Sequence, residues 1–287
     1  MLLVASGMSL LGAAAGCSPW KAPDATSATG NPQAAGDVPA ALVPSGAASS
    51  PAPLSPVPFT PSGSPPVPSP VPPSSSPDGV QPVRRALSEA ESKPVYDLDP
   101  SQRVVALTID DGPDPRYTPQ VLDLLQQHGI RATFFLVGEC AVEHPELVRE
   151  IADRGHHIAN HTWTHPDLRH MSESAVRDEL ERTSDLLHRT TGRLPTWFRA
   201  PGGDFSPVSL KVAADLGLRN MSWTVDPRDW SRPGTASIID TVLKDVRPGS
   251  IVLNHDGGGD RSQTVAALKA YLPVLIDEGY SFTAPPN

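Results

Sequence analysis

Cysteine is almost missing from this chain of 287 residues, which carries only Cys17 and Cys140. One lies in an apolar N-terminal segment and the other near the end of an apolar run. A structural disulfide is therefore not expected, and Cys140 reads as a small near-core side chain rather than an activated nucleophile. Positive charge is also scarce, with 23 Lys and Arg against 32 Asp and Glu. A formal net charge of −9 lacks the basic footprint needed to grip a nucleic-acid backbone, but it does not disfavour neutral glycans. Aromatic residues make up 5% of the chain, and the first 93 residues hold only Trp20 and Phe59 beside 18 of the 34 prolines. No core can form there, so the folded part is expected over residues 97–287, as one α/β domain.

The N-terminal apolar run, Leu2 to Gly16, is too short to span a bilayer stably and reads as the core of an export signal in residues 1–17. The small residues directly before Cys17 resemble a bacterial lipoprotein processing site, where cleavage leaves a lipid-modified cysteine as the new N-terminus. Against this, Ala14 stands where leucine is usual, and no Lys or Arg precedes the run. Cleavage after one of the alanines, giving a soluble secreted protein, is the alternative. The expected location is the outer face of the cytoplasmic membrane on a lipid anchor at Cys17, or the cell wall after secretion. Residues 18–96, rich in Pro, Ser, Ala and Gly, cannot bury enough apolar area to repay their ordering entropy. They are expected to form a disordered, extended stalk.

From Arg103 onward the pattern alternates. Short apolar, β-branched runs predict strands at Val104–Ile109, Ala132–Val137, His157–Asn160, Trp197–Arg199, Asn220–Val225, Ile251–Asn254 and Ser281–Thr283. Helical spacing fills the gaps, over Thr118–His128, Pro145–Arg154, Ser172–Thr190, Pro207–Leu216, Thr235–Leu243 and Gln263–Glu278. About seven strands separated by helices imply parallel pairing with crossover helices. A barrel and an open doubly wound sheet both satisfy this pattern, and in each the chemistry belongs at the carboxyl ends of the strands.

The reactive side chains do follow the strands. Asp110 and Asp111 end the first, His161 and His165 follow the third, and Arg199 ends the fourth. Asp226 and Asp229 follow the fifth, and His255 ends the sixth. An Asp-Asp-Gly-Pro turn alone is weak evidence, since each of those residues favours turns. Two histidines four apart say more, because with a carboxylate such as Asp111 they make a two-His, one-carboxylate metal set. Pro166 argues against a continuing helix there and places the pair on a loop. His156 and His157 precede a strand, and either is a candidate donor behind the ligands.

In order along the chain stand Thr108-Ile109-Asp110-Asp111-Gly112-Pro113, His161-Thr162-Trp163-Thr164-His165, Arg199-Ala200-Pro201-Gly202-Gly203, Asp226-Pro227-Arg228-Asp229-Trp230 and Leu253-Asn254-His255-Asp256. These resemble the five motifs of the NodB-homology polysaccharide deacetylases, carbohydrate esterase family four, and the likeness covers about residues 103–283. It implies a distorted (β/α) barrel of about seven parallel strands with surrounding helices. It also implies a divalent metal, zinc or another such as cobalt, on Asp111, His161 and His165. Asp110 is then the base, with Arg199 holding and tuning it. His255 is the acid for the leaving nitrogen, paired with Asp229. The N–H of Gly202, beside Pro201, becomes a donor to the oxyanion, while Trp230 and Leu253 wall an acetyl pocket. Asp226 and Asp256 take structural places near the turns. Ile109 replaces the usual phenylalanine and Gly202 a common aromatic residue, which bears on sugar preference rather than on the reaction.

The implied reaction is removal of N-acetyl groups from a cell-wall glycan, peptidoglycan first. Chitin or chito-oligosaccharide, or an O-acetyl ester of xylan, are the alternatives, and no protein partner is implied. A non-catalytic wall-binding module would normally lack at least one of Asp110, Asp111, His161, His165, Arg199, Asp229 and His255. A metal-carrying surface lipoprotein would not need Asp110, Arg199 and His255.

Overall fold

In a computed structural model of the chain, residues 85–285 are described. The export signal and residues 18–84 of the expected stalk lie outside the described residues. Seven strands carry the domain: β1 (Val104–Asp110), β2 (Thr133–Leu136), β3 (His157–Asn160), β4 (Trp197–Phe198), β5 (Arg219–Asn220), β6 (Ile251–His255) and β7 (Ser281–Phe282). The helices are α1 (Glu89–Ser92), α2 (Thr118–Gln127), α3 (Gly138–Glu143), α4 (Pro145–Asp153), α5 (Glu173–Thr191), α6 (Pro207–Asp215), α7 (Thr235–Asp245) and α8 (Ser262–Asp277). Short 3-10 turns stand at Leu168–His170, Pro201–Gly203 and Asp229–Ser231.

The sheet runs β5-β4-β3-β2-β1-β6, with β7 beside the start of β1, and every strand pair is parallel. Six of the seven β1 residues are buried, as expected of a central parallel strand covered on both faces. The ring closes by irregular backbone. Thr224 and Val225 donate to Ile251 O at 3.0 and 3.1 Å, and Leu253 donates to Val225 O at 2.9 Å. The result is a distorted (β/α) barrel, and the alternative of an open doubly wound sheet falls away.

Two expectations change here. The strand expected over 220–225 pairs regularly only at Arg219–Asn220, after which Met221 and Val225 make single bridges. Trp223 and Thr224 leave the ladder because the carbonyls of Met221 and Ser222 turn toward Arg199 instead. The folded part also begins before residue 97. Ser88 caps α1 in a reciprocal capping box with Glu91, Val95 bridges Met221, and the Ser92 carbonyl accepts from Asn220 Nδ2 at 2.6 Å. A few apolar residues docking on the β5 edge suffice to order this stretch, despite the proline-rich sequence before it.

The main core gathers Leu107 and Ile109 of β1, Phe134 and Leu136 of β2, and Val252 of β6 against α2, α4, α7 and α8. Ser172 caps α5 and Gly192 ends it in the left-handed conformation. Phe134 is fully buried. Phe134→Ala is expected to cost about 3–5 kcal/mol through lost burial and the cavity left behind, measured as the shift of the urea unfolding transition.

Candidate active site

The carboxyl ends of β1, β3, β4 and β6 meet on one rim, and the first two residues to examine are adjacent. Asp110 is the last residue of β1 and is 2% exposed. Asp111, 6% exposed, turns out of the strand with φ 72°, a left-handed conformation uncommon for a residue with a Cβ. That turn sends the two carboxylates to different partners.

Asp110 Oδ1 accepts from Arg199 Nη1 at 2.6 Å. The guanidinium is fully buried and spends its other donors on Thr108 Oγ1 (2.9 Å), Met221 O (3.2 Å) and Ser222 O (2.9 Å). Phe135 lies 4.2 Å from it, ring centroid to Cζ. A buried ion pair of this kind is weak evidence for stability, because desolvation offsets much of the attraction. Its geometric effect is firm: Oδ1 is tied down, while Oδ2 faces His161 Nε2 at 3.7 Å.

Asp111 Oδ1 lies 3.4 Å from His161 Nε2 and 3.3 Å from His165 Nε2, yet makes no hydrogen bond. The ligand atoms of the three residues all lie within 4.8 Å of one another. His161 Nδ1–H donates to the carbonyl of Arg199 at 2.8 Å. A carbonyl only accepts, so Nδ1 carries a proton and Nε2 is the nitrogen turned toward Asp111. Burial alone pushes Asp111 up, but the imidazoles of His161, His165 and His255 hold it well below the ordinary carboxylate range. Burial pushes His165 down to about 4, which keeps it neutral. One carboxylate oxygen facing two imidazole nitrogens, one of them with its tautomer fixed, fits a divalent cation such as zinc.

The sixth strand supplies the other side. His255 Nδ1 donates to Asp229 Oδ1 at 2.7 Å, and the His255 backbone N–H reaches Asp229 Oδ2 at 2.8 Å. Thr264 Oγ1 completes the Asp229 carboxylate at 2.8 Å. Burial works against the imidazolium, but Asp229 first and then Asp111 and Asp110 outweigh it and raise His255 to about 9. The loop after His255 closes on the metal ligand: a Cβ on Gly257 would lie 2.0 Å from the Asp111 carbonyl oxygen, and one on Gly258 2.8 Å from Asp111 Oδ2. Only glycine allows that approach.

The remaining expected residues fall around this centre. Pro201 is buried, and Gly202 is exposed on the turn after β4 with φ 64°. That turn's own hydrogen bonds come from the N–H groups of Gly203 and Asp204. Trp230 is 40% exposed beside Asp229, and Leu253 is buried one residue before Asn254 on β6. Asp226 accepts from the Arg228 N–H at 2.8 Å. Asp256 is fully buried, accepts from Thr118 Oγ1 at 2.6 Å, and donates its backbone N–H to Asp110 O at 3.1 Å. Burial pushes its carboxyl up to about 7.

His156 and His157 are not donors behind the ligands. They sit at the opposite end of β3 from His161, where His156 Nδ1 accepts from Ala132 N at 3.2 Å and His157 lies by Pro285. Cys140 is buried but not free: it is disulfide-bonded, against the expectation of a lone thiol. Residue spacing carries no information on which segments meet in space. The sequence's other cysteine, Cys17, lies outside the described residues. Cys140 helps line a cavity of about 440 Å³ that opens beside Asp111 and His165 and also includes Val137, Glu139 and Trp163. Sequence reasoning missed Thr108, Asn160, Glu179, Thr264 and Arg261, all of which bond to site residues or to the loops that carry them.

Residues 97–221 match the sequence model for polysaccharide deacetylase. A peptidoglycan-N-acetylglucosamine deacetylase of Bacillus cereus is 42% identical over 189 residues, spanning 65% of this chain and 88% of that relative. A chitooligosaccharide deacetylase of Sinorhizobium fredii is 44% identical over 194 residues, spanning 64% and 90%. Among solved structures, a peptidoglycan N-acetylglucosamine deacetylase in complex with an N-oxidanyl-benzamide superposes with a TM-score of 0.65 at 38% identity, covering 67% of this chain and 90% of that one. A family 4 carbohydrate esterase pseudoenzyme from Bacillus anthracis gives 0.63 at 32%, covering 67% and 66%.

His255 gives a direct test of these electrostatics. Its folded pKa lies above the ordinary 6.5, so it contributes stability that is full below about 6.5 and lost as pH rises through about 9. In metal-free protein followed by NMR, Asp229→Asn is expected to bring the His255 titration down by at least about one unit toward the ordinary value.

Proposed function

The chain belongs to the polysaccharide deacetylase family, and from that premise we propose that it removes N-acetyl groups from a cell-wall glycan, peptidoglycan first. The observation that carries this reading is the position of Asp110. Arg199 holds one of its oxygens, and it is bracketed by the Asp111–His161–His165 set on one side and the Asp229–His255 pair on the other.

Asp111, His161 and His165 would hold a divalent ion, zinc by the character of these ligands, and that ion would supply Lewis acidity for the acetamide carbonyl and for water. Asp110 takes the proton of the attacking water on Oδ2, since Oδ1 is occupied by Arg199. Attack makes the amide carbon tetrahedral and gathers negative charge on its oxygen. The N–H of Gly202, just past the β4 strand end, is the donor assigned to that oxygen. The nitrogen leaves only as an amine, because an amide anion is far too basic. His255 delivers the proton from Nε2, because Nδ1 is committed to Asp229. Acetate and a glucosamine-type amine are the products. Trp230 and Leu253 are assigned to the wall of the small acetyl pocket.

Chito-oligosaccharide is the second substrate reading, favoured by the 44% identity with the Sinorhizobium enzyme. An acetyl xylan esterase would use the same metal and base but depend less on His255, because an alkoxide is a better leaving group than an amide anion. Against a non-catalytic module stands the full set of Asp110, Asp111, His161, His165, Arg199, Asp229 and His255 in one rim. For location we propose export, from the apolar N-terminal run. A lipid thioether at Cys17 would need the same sulfur as any disulfide to Cys140, so the mass of the protein purified from membranes separates the two.

The purified protein should release acetate from an N-acetylated glycan, lose that activity to chelator and regain it with zinc. Peptidoglycan, chito-oligosaccharide and acetylated xylan tested side by side choose the substrate. Asp111→Ala and His165→Ala should lose the metal as well as the rate. Asp110→Asn should keep the metal and lose turnover by about a hundredfold or more, the size typical of a lost general base. A normal rate from Asp110→Asn would remove it as the base, and a full rate from His255→Ala would require another acid.

A further inference from the structure

Glu179 lies in the middle of α5, is 8% exposed, and belongs to none of the five motifs. Among the described residues no Lys, Arg or His forms an ion pair with it. A buried carboxylate without a cation is tolerated only when hydrogen bonds satisfy it. Here the three donors come from two adjacent residues of one turn. Oε2 accepts the backbone N–H of Trp163 at 2.7 Å and of Thr164 at 2.8 Å, and Oε1 accepts Thr164 Oγ1 at 2.9 Å.

That turn is the link between His161 and His165. It is an unfavourable piece of chain, because Thr162 and His165 are both left-handed, with φ of 69° and 56°. Such conformations persist only where the surroundings over-determine them. The Thr162 and Trp163 carbonyls accept from the Gly138 and Glu139 N–H groups of α3, both at 3.0 Å, and a further tie leads to α5. The Thr162 N–H donates to Asn160 Oδ1 at 2.8 Å, and Asn160 Nδ2 in turn donates to Leu180 O at 2.8 Å and Ser184 Oγ at 2.9 Å.

We propose that Glu179 is a positioning residue for the metal site: its carboxylate fixes the Trp163–Thr164 turn so that His161 and His165 face one ion. This rests on the ligand assignment given above. Glu179 reaches neither ion nor substrate. It acts by holding the backbone from which His165 departs, and α5 thereby becomes part of the metal site.

Glu179→Leu keeps the approximate size but offers no acceptor to the Trp163 and Thr164 N–H groups or to Thr164 Oγ1. Zinc affinity, read by competition with a chromophoric chelator, should weaken about 10–100-fold, the range typical of partners standing behind metal ligands. Thr183→Val is the control. It removes the hydrogen bond from Thr183 Oγ1 to the Glu179 backbone carbonyl, 2.9 Å, in the same turn of helix but leaves the carboxylate in place, and its zinc affinity should stay within about threefold. Metal-free thermal unfolding of both variants measures the common loss of stability. If Glu179→Leu binds zinc as tightly as the unsubstituted protein, or if Thr183→Val weakens it equally, the proposal is overturned. Should Glu179→Leu fail to fold, exposed Thr164→Ala removes one of the three bonds and should weaken zinc by about three- to tenfold; unchanged affinity there overturns it too. Unsubstituted protein that holds no zinc would sink the ligand assignment itself, a distinct result.

Discussion

Two adjacent carboxylates leave one strand end within a few per cent of complete burial and serve different partners. Buried alone, either would be costly to charge, and side by side they would repel. The structure separates them by turning Asp111 into the left-handed region directly after β1 and giving each its own partner. Asp110 receives a fully buried arginine that spans from β4 to the strand it serves. Asp111 receives two imidazoles, one with its tautomer fixed by the carbonyl of that same Arg199. The arginine therefore acts on both carboxylates, through its side chain on one and its backbone on the other.

Much of the surrounding architecture follows from supporting that pair. The ladder breaks after β5 because the Met221 and Ser222 carbonyls serve the guanidinium. The glycines after His255 are small because Asp111 occupies the space their side chains would take. On the far side, Asp229 and Thr264 hold His255 protonated and oriented. The proposed acid and base thus come from two strand ends, with opposite environments: an arginine beside the Asp110 carboxylate, and an aspartate beside the His255 imidazole.

The strand ends were legible because each reactive residue follows a buried apolar run, a pattern that survives without any knowledge of the fold. The candidate metal ligands were readable as a spacing, and the roles proposed for them as a resemblance. What stayed hidden depends on contacts between segments far apart in sequence. Glu179 looks like any charge on a long amphipathic helix until α5 is seen to cover the His161–His165 turn. His156 and His157 look like useful donors until β3 is given a direction, which puts them at its other end. The disulfide of Cys140 had no local signal at all. The short helix α3 was absorbed into the apolar run before it, and the docking of residues 88–95 was masked by the proline-rich composition that precedes them.

The central claim is that one divalent ion binds on Asp111, His161 and His165 while Asp110 stays free to accept a proton. Anomalous diffraction at the zinc edge from crystals grown with zinc tests it most directly. The account predicts a single strong peak about 2.0–2.2 Å from one Asp111 oxygen and from Nε2 of both histidines, with Asp110 still on Arg199 and outside the ligand shell. A peak that takes Asp110 as a ligand, or that lies away from these three residues, would contradict it.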